Sequence, residues 1–117
     1  MRITMIGTGY VGLVSAACFA EFGVEVCAVD KDKRKIERLL GGEIPIYEPG
    51  LDELIERNVA ASRLRFTTDL KSALAGAEAV FIAVGTPSRR GDGHADLTYL
   101  FAAAEEIARA LEHGTVV

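Results

Sequence analysis

The sequence has no tryptophan, only three prolines and only two cysteines, Cys18 and Cys27. Two cysteines with no further Cys or His at ligand spacing exclude a disulfide scaffold and a Cys/His metal site. Positive charge is not in excess: 13 Lys and Arg against 17 Asp and Glu leave a net charge of −4. The basic stripe that nucleic acid binding needs is therefore missing. No apolar run approaches the roughly 20 residues that span a bilayer. The opening Met1-Arg2 leads straight into a strand-like run, without the pattern of a secretory leader. The expectation is a reduced, soluble, cytoplasmic protein with neither membrane nor nucleic acid as partner.

What is present is a core. Half of the 117 residues are hydrophobic and 26% are charged, which suits one folded domain and excludes intrinsic disorder. Residues 2–6 are a short, mostly apolar run that stops at Gly7, as a buried strand does. Residues 10–22 are small and apolar nearly all round, too long for a strand and rich in alanine, so a helix is expected, closed by Gly23. Residues 24–29 read as a second strand ending at Asp30. Residues 32–40 read as a charged amphipathic helix with Ile36, Leu39 and Leu40 toward the core, stopped by Gly41 and Gly42.

Two prolines and a glycine exclude regular helix from residues 44–50, and a helix is expected over 51–59. A third strand at 64–67 leads to a helix capped by Asp69, then a fourth strand at 79–84. A glycine-rich loop separates that strand from a helix over 97–111, and residues 115–117 read as the first residues of a fifth strand. Strands alternating with helices imply right-handed βαβ units: an α/β fold with a parallel sheet covered on both faces.

Gly7-Thr8-Gly9-Tyr10-Val11-Gly12 fits G-x-G-x-x-G between an expected strand and an expected helix. Gly7 permits the tight turn, Gly9 lets a pyrophosphate approach the backbone, and Gly12 allows close helix packing. The free N–H groups and the positive end of the helix then face the phosphates. Asp30, 18 residues beyond Gly12, ends the second strand where a carboxylate can accept from an adenosine ribose. Its negative charge disfavours a 2′-phosphate and so favours NAD over NADP. FAD also fits the glycine fingerprint taken alone. Lys31, Lys33 and Arg34 read as the solvated start of a helix.

Beyond this loop the sequence resembles the UDP-glucose/GDP-mannose dehydrogenase family over its whole length. The resemblance rests on Ile3-Thr4-Met5-Ile6-Gly7-Thr8-Gly9-Tyr10-Val11-Gly12-Leu13-Val14 and on Val29-Asp30 followed by Lys35. It also rests on Ile46-Tyr47-Glu48-Pro49-Gly50-Leu51, on Phe81-Ile82-Ala83-Val84-Gly85-Thr86-Pro87, and on Asp92-Gly93 and Asp96-Leu97. The Tyr-Glu-Pro-Gly-Leu and Val-Gly-Thr-Pro segments are far more specific than the glycine loop.

The resemblance implies a Rossmann-type, doubly wound parallel sheet truncated at the start of the fifth strand. Residues 1–117 would be an incomplete N-terminal NAD-binding domain, without the central helix and the sugar-nucleotide domain. The implied cofactor residues are Gly7, Gly9, Tyr10, Val11, Gly12, Asp30, Lys35 and Thr86. The implied reaction oxidises the C6 alcohol of UDP-glucose to the carboxylate, reducing two NAD⁺ in sequence. The UDP-sugar would be held by the missing domain, and the full-length protein is expected to be a homo-oligomer. A related GDP-mannose or UDP-N-acetylhexosamine dehydrogenase, or a non-catalytic nucleotide-binding module, is the alternative.

In the family a cysteine in the later part of the chain forms the covalent intermediates. Neither Cys18 nor Cys27 matches that motif, and both are expected to be buried small hydrophobes. No catalytic residue and no metal site is therefore expected within these residues, which alone should be inactive. His94 and His113 read as solvated, as do Arg89 and Arg90. The loop 85–96 is expected to be mobile unless a ligand orders it. The segment Tyr47-Glu48-Pro49 either shapes the cofactor cleft or only sets a rigid turn, and Ala102-Ala103-Ala104 reads as helix packing and not a site. A fifth strand cut short would expose apolar sheet face and an unpaired edge, so a marginal or dimerising fold is expected.

Overall fold

Short apolar runs punctuated by glycine and aspartate become four strands and five helices among the described residues, 1–111 and 114–117 of a computed structural model. His113 lies outside them. The elements run β1 (Arg2–Ile6), α1 (Tyr10–Glu21), β2 (Glu25–Val29), α2 (Lys33–Leu40) and α3 (Leu51–Ala60). They continue with β3 (Leu64–Thr67), α4 (Leu70–Leu74), β4 (Ala79–Ile82) and α5 (Thr98–Ala110). The strands form one parallel sheet in the order β3-β2-β1-β4. Val116 adds a single parallel bridge to Ala79 on the far side of β4, where a fifth strand is expected.

The period of two along each strand sends alternate side chains to two cores. Met5, Val26, Ala28, Leu64 and Phe66 pack on α1, α2 and α3, with Leu13, Ile36 and Ile55 contributed by those helices. Ile6, Cys27, Val29 and Val80 pack on α4 and α5, against Leu74, Ala103 and Ile107. Helices on both faces are the condition for an all-parallel sheet to be stable in water. Ala16, Ala17 and Ala20 are fully buried, so α1 lies close against the sheet. Burying a side chain such as Leu13 contributes about 1.5–3 kcal/mol.

Two polar side chains tie the layers together. Thr4, inside β1, is fully buried and its hydroxyl donates to the carbonyl of Ala73 at 2.6 Å. Asn58, also fully buried, donates through Nδ2 to Glu21 Oε2 and to the carbonyl of Leu54, while Arg63 Nε donates to its Oδ1. The ends of α1 and α3 are thereby pinned to each other, a contact that sequence pattern did not reveal.

Three expectations are corrected: the burial of Leu40, the burial of Cys18 and the end of β4. Leu40 is 65% exposed, because Ile36 and Leu39 already fill the core stripe of the short α2. Cys18 is exposed: α1 turns its alanines to the sheet and Cys18 to the other side, whereas Cys27 is buried as expected. Strand β4 stops at Ile82, which leaves Ala83 and Val84 free to border a cleft. The loop 85–96 is folded on itself, with a Ser88–Ala95 bridge, Arg89 N–H donating to the His94 carbonyl and Arg89 paired to Asp92. Exposed large apolar side chains include Phe81 in β4, Val116 and Val117 beside it, and Tyr99 and Phe101 on α5.

Candidate cofactor site

At the C-terminal end of the sheet the chain leaves β1 toward β2 on one side, while β4 lies on the other. This is the switch point of a doubly wound sheet, where a crevice opens between diverging loops. The three glycines of the first loop do different work there. Gly7 turns out of β1 at φ +106°, and a Cβ on it would stand 2.4 Å from the carbonyl oxygen of Ala83. A Cβ on Gly12 would stand 2.0 Å from the carbonyl oxygen of Gly7, so this glycine lets α1 pack against the loop itself. Gly9 differs: its backbone is extended, and a Cβ would meet no atom within 4 Å. Nothing in the fold requires a glycine at position 9. The space beside it is open to a ligand that must lie close to the backbone.

Gly9 also precedes the first turn of α1, which has no side-chain cap and no acidic residue. Its N–H groups and the positive end of the helix are thus left for an anion. Tyr10 and Val11, at the start of this turn, are exposed, and the Tyr10 hydroxyl donates to Glu48 Oε2 at 2.8 Å. That bond, and the charge of Glu48, raise the Tyr10 pKa above its ordinary value. Glu48 therefore ties segment 43–50 to the phosphate end of the helix, while its neighbour Tyr47 is almost fully exposed.

Asp30 sits across the loop from Thr8. Its Oδ2 accepts from the Thr8 N–H at 3.0 Å and from the Thr8 hydroxyl at 2.8 Å. Its Oδ1 accepts from the Asp32 N–H at 2.9 Å. Half-burial works to raise this carboxyl's pKa, but the hydrogen bonds from Asp32 and Thr8, with the charge of Lys35, prevail and lower it. The group is held as an anion, with acceptor capacity left on Oδ1 for a ribose hydroxyl.

The resulting cleft holds about 490 Å³. Gly7, Gly9, Asp30 and Lys35, all expected from sequence, line it. Gly12 is buried behind the loop, and Thr86 is exposed just beyond the lining residues Val84 and Gly85. Sequence reasoning missed Thr8, Leu70 and the face of α5 made by Tyr99, Ala102, Ala103 and Glu106. The signal was available, because 99, 102, 103 and 106 follow the i, i+3, i+4, i+7 spacing of one helix face. Ala103 is part of the buried core, as the reading of 102–104 as packing expects, and with Ala102 it also borders the cleft. Lys31 is solvated as expected and also pairs with Glu106 across the cleft. Among the described residues no group of three or more His, Cys, Asp and Glu could hold a metal ion, and no helix is long and apolar enough to cross a membrane.

A model of the UDP-glucose/GDP-mannose dehydrogenase family, NAD binding domain, matches residues 1–117. The chain belongs to this family. The matched region is its NAD-binding domain, and the space beside Gly9, the uncapped helix end and the Asp30 carboxylate fit that cofactor. A UDP-glucose 6-dehydrogenase of Rhizobium meliloti (strain 1021) is 66% identical over 117 residues, which cover all of this chain and 27% of that protein. A UDP-glucose 6-dehydrogenase of Pseudomonas aeruginosa is 50% identical, over all of this chain and 26% of that protein. The crystal structure of a ternary complex of GDP-mannose dehydrogenase from Pseudomonas aeruginosa superposes with a TM-score of 0.89 at 43% identity. It is matched over 94% of this chain and 25% of its own. The chain therefore spans about a quarter of the length of the relatives it matches.

Proposed function

We propose that these residues hold NAD for a UDP-glucose 6-dehydrogenase, in which the C6 alcohol of the sugar is oxidised to a carboxylate and two NAD⁺ are reduced. The observation that carries this reading is the half-buried, ionised Asp30 facing a glycine loop at the switch point, together with 66% identity to a UDP-glucose 6-dehydrogenase. The two parts support different halves of it: the carboxylate favours NAD over NADP, and the relative supports the sugar.

In this assignment Gly9, Tyr10 and Val11 border the pyrophosphate, with Gly7 and Gly12 giving the loop its shape. Asp30 accepts from the adenosine ribose, and Lys35 stands at the same end. Thr86 meets the cofactor from the β4 side. NAD supplies the hydride acceptor; these residues bind and orient it. The UDP-sugar site, the nucleophilic cysteine, the homo-oligomeric assembly and a cytoplasmic setting belong to the proposal for the whole protein. GDP-mannose is the second reading, favoured by the 43% identity to a GDP-mannose dehydrogenase of known structure.

NADH formation by the whole protein with UDP-glucose, GDP-mannose and a UDP-N-acetylhexosamine tests the assignment. Turnover with UDP-glucose well above the other two is expected. Preference for either competitor would replace UDP-glucose as the substrate, and none at all with NAD⁺ would overturn the dehydrogenase reading.

A further inference from the structure

Thr8 is the middle residue of Gly7-Thr8-Gly9, a position the glycine pattern leaves open to any side chain. Here it is 2% exposed, although it borders the cleft. A hydroxyl this buried needs a partner, and its partner is Asp30 Oδ2 at 2.8 Å. The Thr8 N–H donates to the same oxygen at 3.0 Å. A carboxylate has about four acceptor sites, two on each oxygen. Thr8 occupies both on Oδ2, and the Asp32 N–H takes one on Oδ1. One acceptor site remains, on Oδ1.

We infer that Thr8 is a positioning residue for cofactor choice: its hydroxyl locks one oxygen of Asp30 so that the other is presented to the ribose diol. The inference rests on the reading of this cleft as an NAD site and deepens it. Without the hydroxyl, Asp30 keeps one backbone donor on each oxygen, from Thr8 and Asp32, and loses the side-chain bond that tightens Oδ2 in place. The charge of Asp30 would persist and continue to repel a 2′-phosphate, while the directed bond to the ribose would weaken. Thr8 acts on the dinucleotide that offers a 2′-hydroxyl and not on the one that lacks it. A merely structural role in the loop would instead disturb the pyrophosphate site, which both dinucleotides share.

The test is calorimetric titration of the parent chain, Thr8→Val, Thr8→Ser, Asp30→Ala and the double variant with NAD⁺ and with NADP⁺. Valine keeps the size and β-branching of threonine, and serine keeps the hydroxyl. Thr8→Val is expected to weaken NAD⁺ about tenfold, a little less than the loss of a direct hydrogen bond to a charged group, and to leave NADP⁺ unchanged. Thr8→Ser should restore most of the loss. In the Asp30→Ala background, Thr8→Val should add nothing further.

Equal losses for both dinucleotides, no recovery with serine, or an undiminished loss without Asp30 would each overturn the inference while leaving the NAD site standing. Failure of the parent chain to bind NAD⁺, or unchanged NAD⁺ affinity in Asp30→Ala, would sink the reading of the site itself, and the inference with it.

Discussion

The two ends of the sheet both carry charge, and they use it differently. At the N-terminal end of the strands Arg2 pairs with Glu25 at 3.1 Å and the N-terminal ammonium faces Glu78 at 3.9 Å, all roughly half or more exposed. Each partner there is another solvated ion, and such pairs contribute at most about 1 kcal/mol. At the C-terminal end Asp30 is surrounded by neutral donors: two N–H groups and one hydroxyl, with Lys35 only nearby. Neutral donors fix a carboxylate's direction without cancelling its charge. The difference teaches where to look for function in this fold. An anion held in place by neutral donors, with a cation only nearby, is prepared for something that is not part of the fold.

The comparison can be broken most severely at Gly12. Gly12→Ala forces a Cβ against the Gly7 carbonyl oxygen, and a loss of about 3 kcal/mol is expected, read as a lowered thermal midpoint together with lost NAD⁺ binding. Next comes Asp30→Ala, which should weaken NAD⁺ by about 1.5–3 kcal/mol in calorimetry, since a hydrogen bond to a charged group is removed.

The same carboxylate sets a pH dependence. Its folded pKa lies below the ordinary 3.8, so its contribution to stability is present above that value and is lost as pH falls through the lowered one. Denaturant midpoints measured from pH 6 downward should show this contribution intact at pH 5. Asp30→Ala should shrink, without abolishing, the acid-induced decline below about pH 4, since Glu21, Glu43 and Asp96 are held below their ordinary values as well.

Gly9→Ala separates binding from folding. Its Cβ meets no protein atom, so stability should change by less than about 1 kcal/mol, the scale of an N-cap substitution. NAD⁺ affinity should nevertheless fall about tenfold, or 1.4 kcal/mol. Arg2→Met at the opposite end should produce the smallest effect: under about 1 kcal/mol in stability and none on NAD⁺. A larger effect at Arg2 than at Asp30 would erase the contrast between the two ends.

Much of this architecture was readable from residues alone. Glycine and aspartate punctuate the apolar runs so sharply that the expected strand and helix limits fall within a residue or two of those observed. The exceptions have physical causes. Leu40 and Cys18 were misplaced because composition reports that a helix is apolar but not which side meets the sheet. The bonds that fold the loop 85–96 went unread because they run through Arg89 between residues only a few positions apart, where no periodic pattern marks them.

In the site, Gly7 and Asp30 were legible because backbone conformation and charge restrict those positions to very few residue types, and Gly9 through its place in the glycine pattern. Thr8 was not, since many side chains fit between two glycines, and its role appears only once β2 brings Asp30 alongside. The wall from α5 was hidden for a related reason. Tyr99, Ala102 and Glu106 look like an ordinary helix face until the fold turns that face toward the cleft.

That the C-terminal end of this sheet is an NAD site read by a fixed carboxylate is checked by calorimetric titration of the chain with NAD⁺ and, in parallel, NADP⁺. Saturable binding of NAD⁺ and much weaker binding of NADP⁺ are expected. NADP⁺ bound as tightly as NAD⁺ would contradict it.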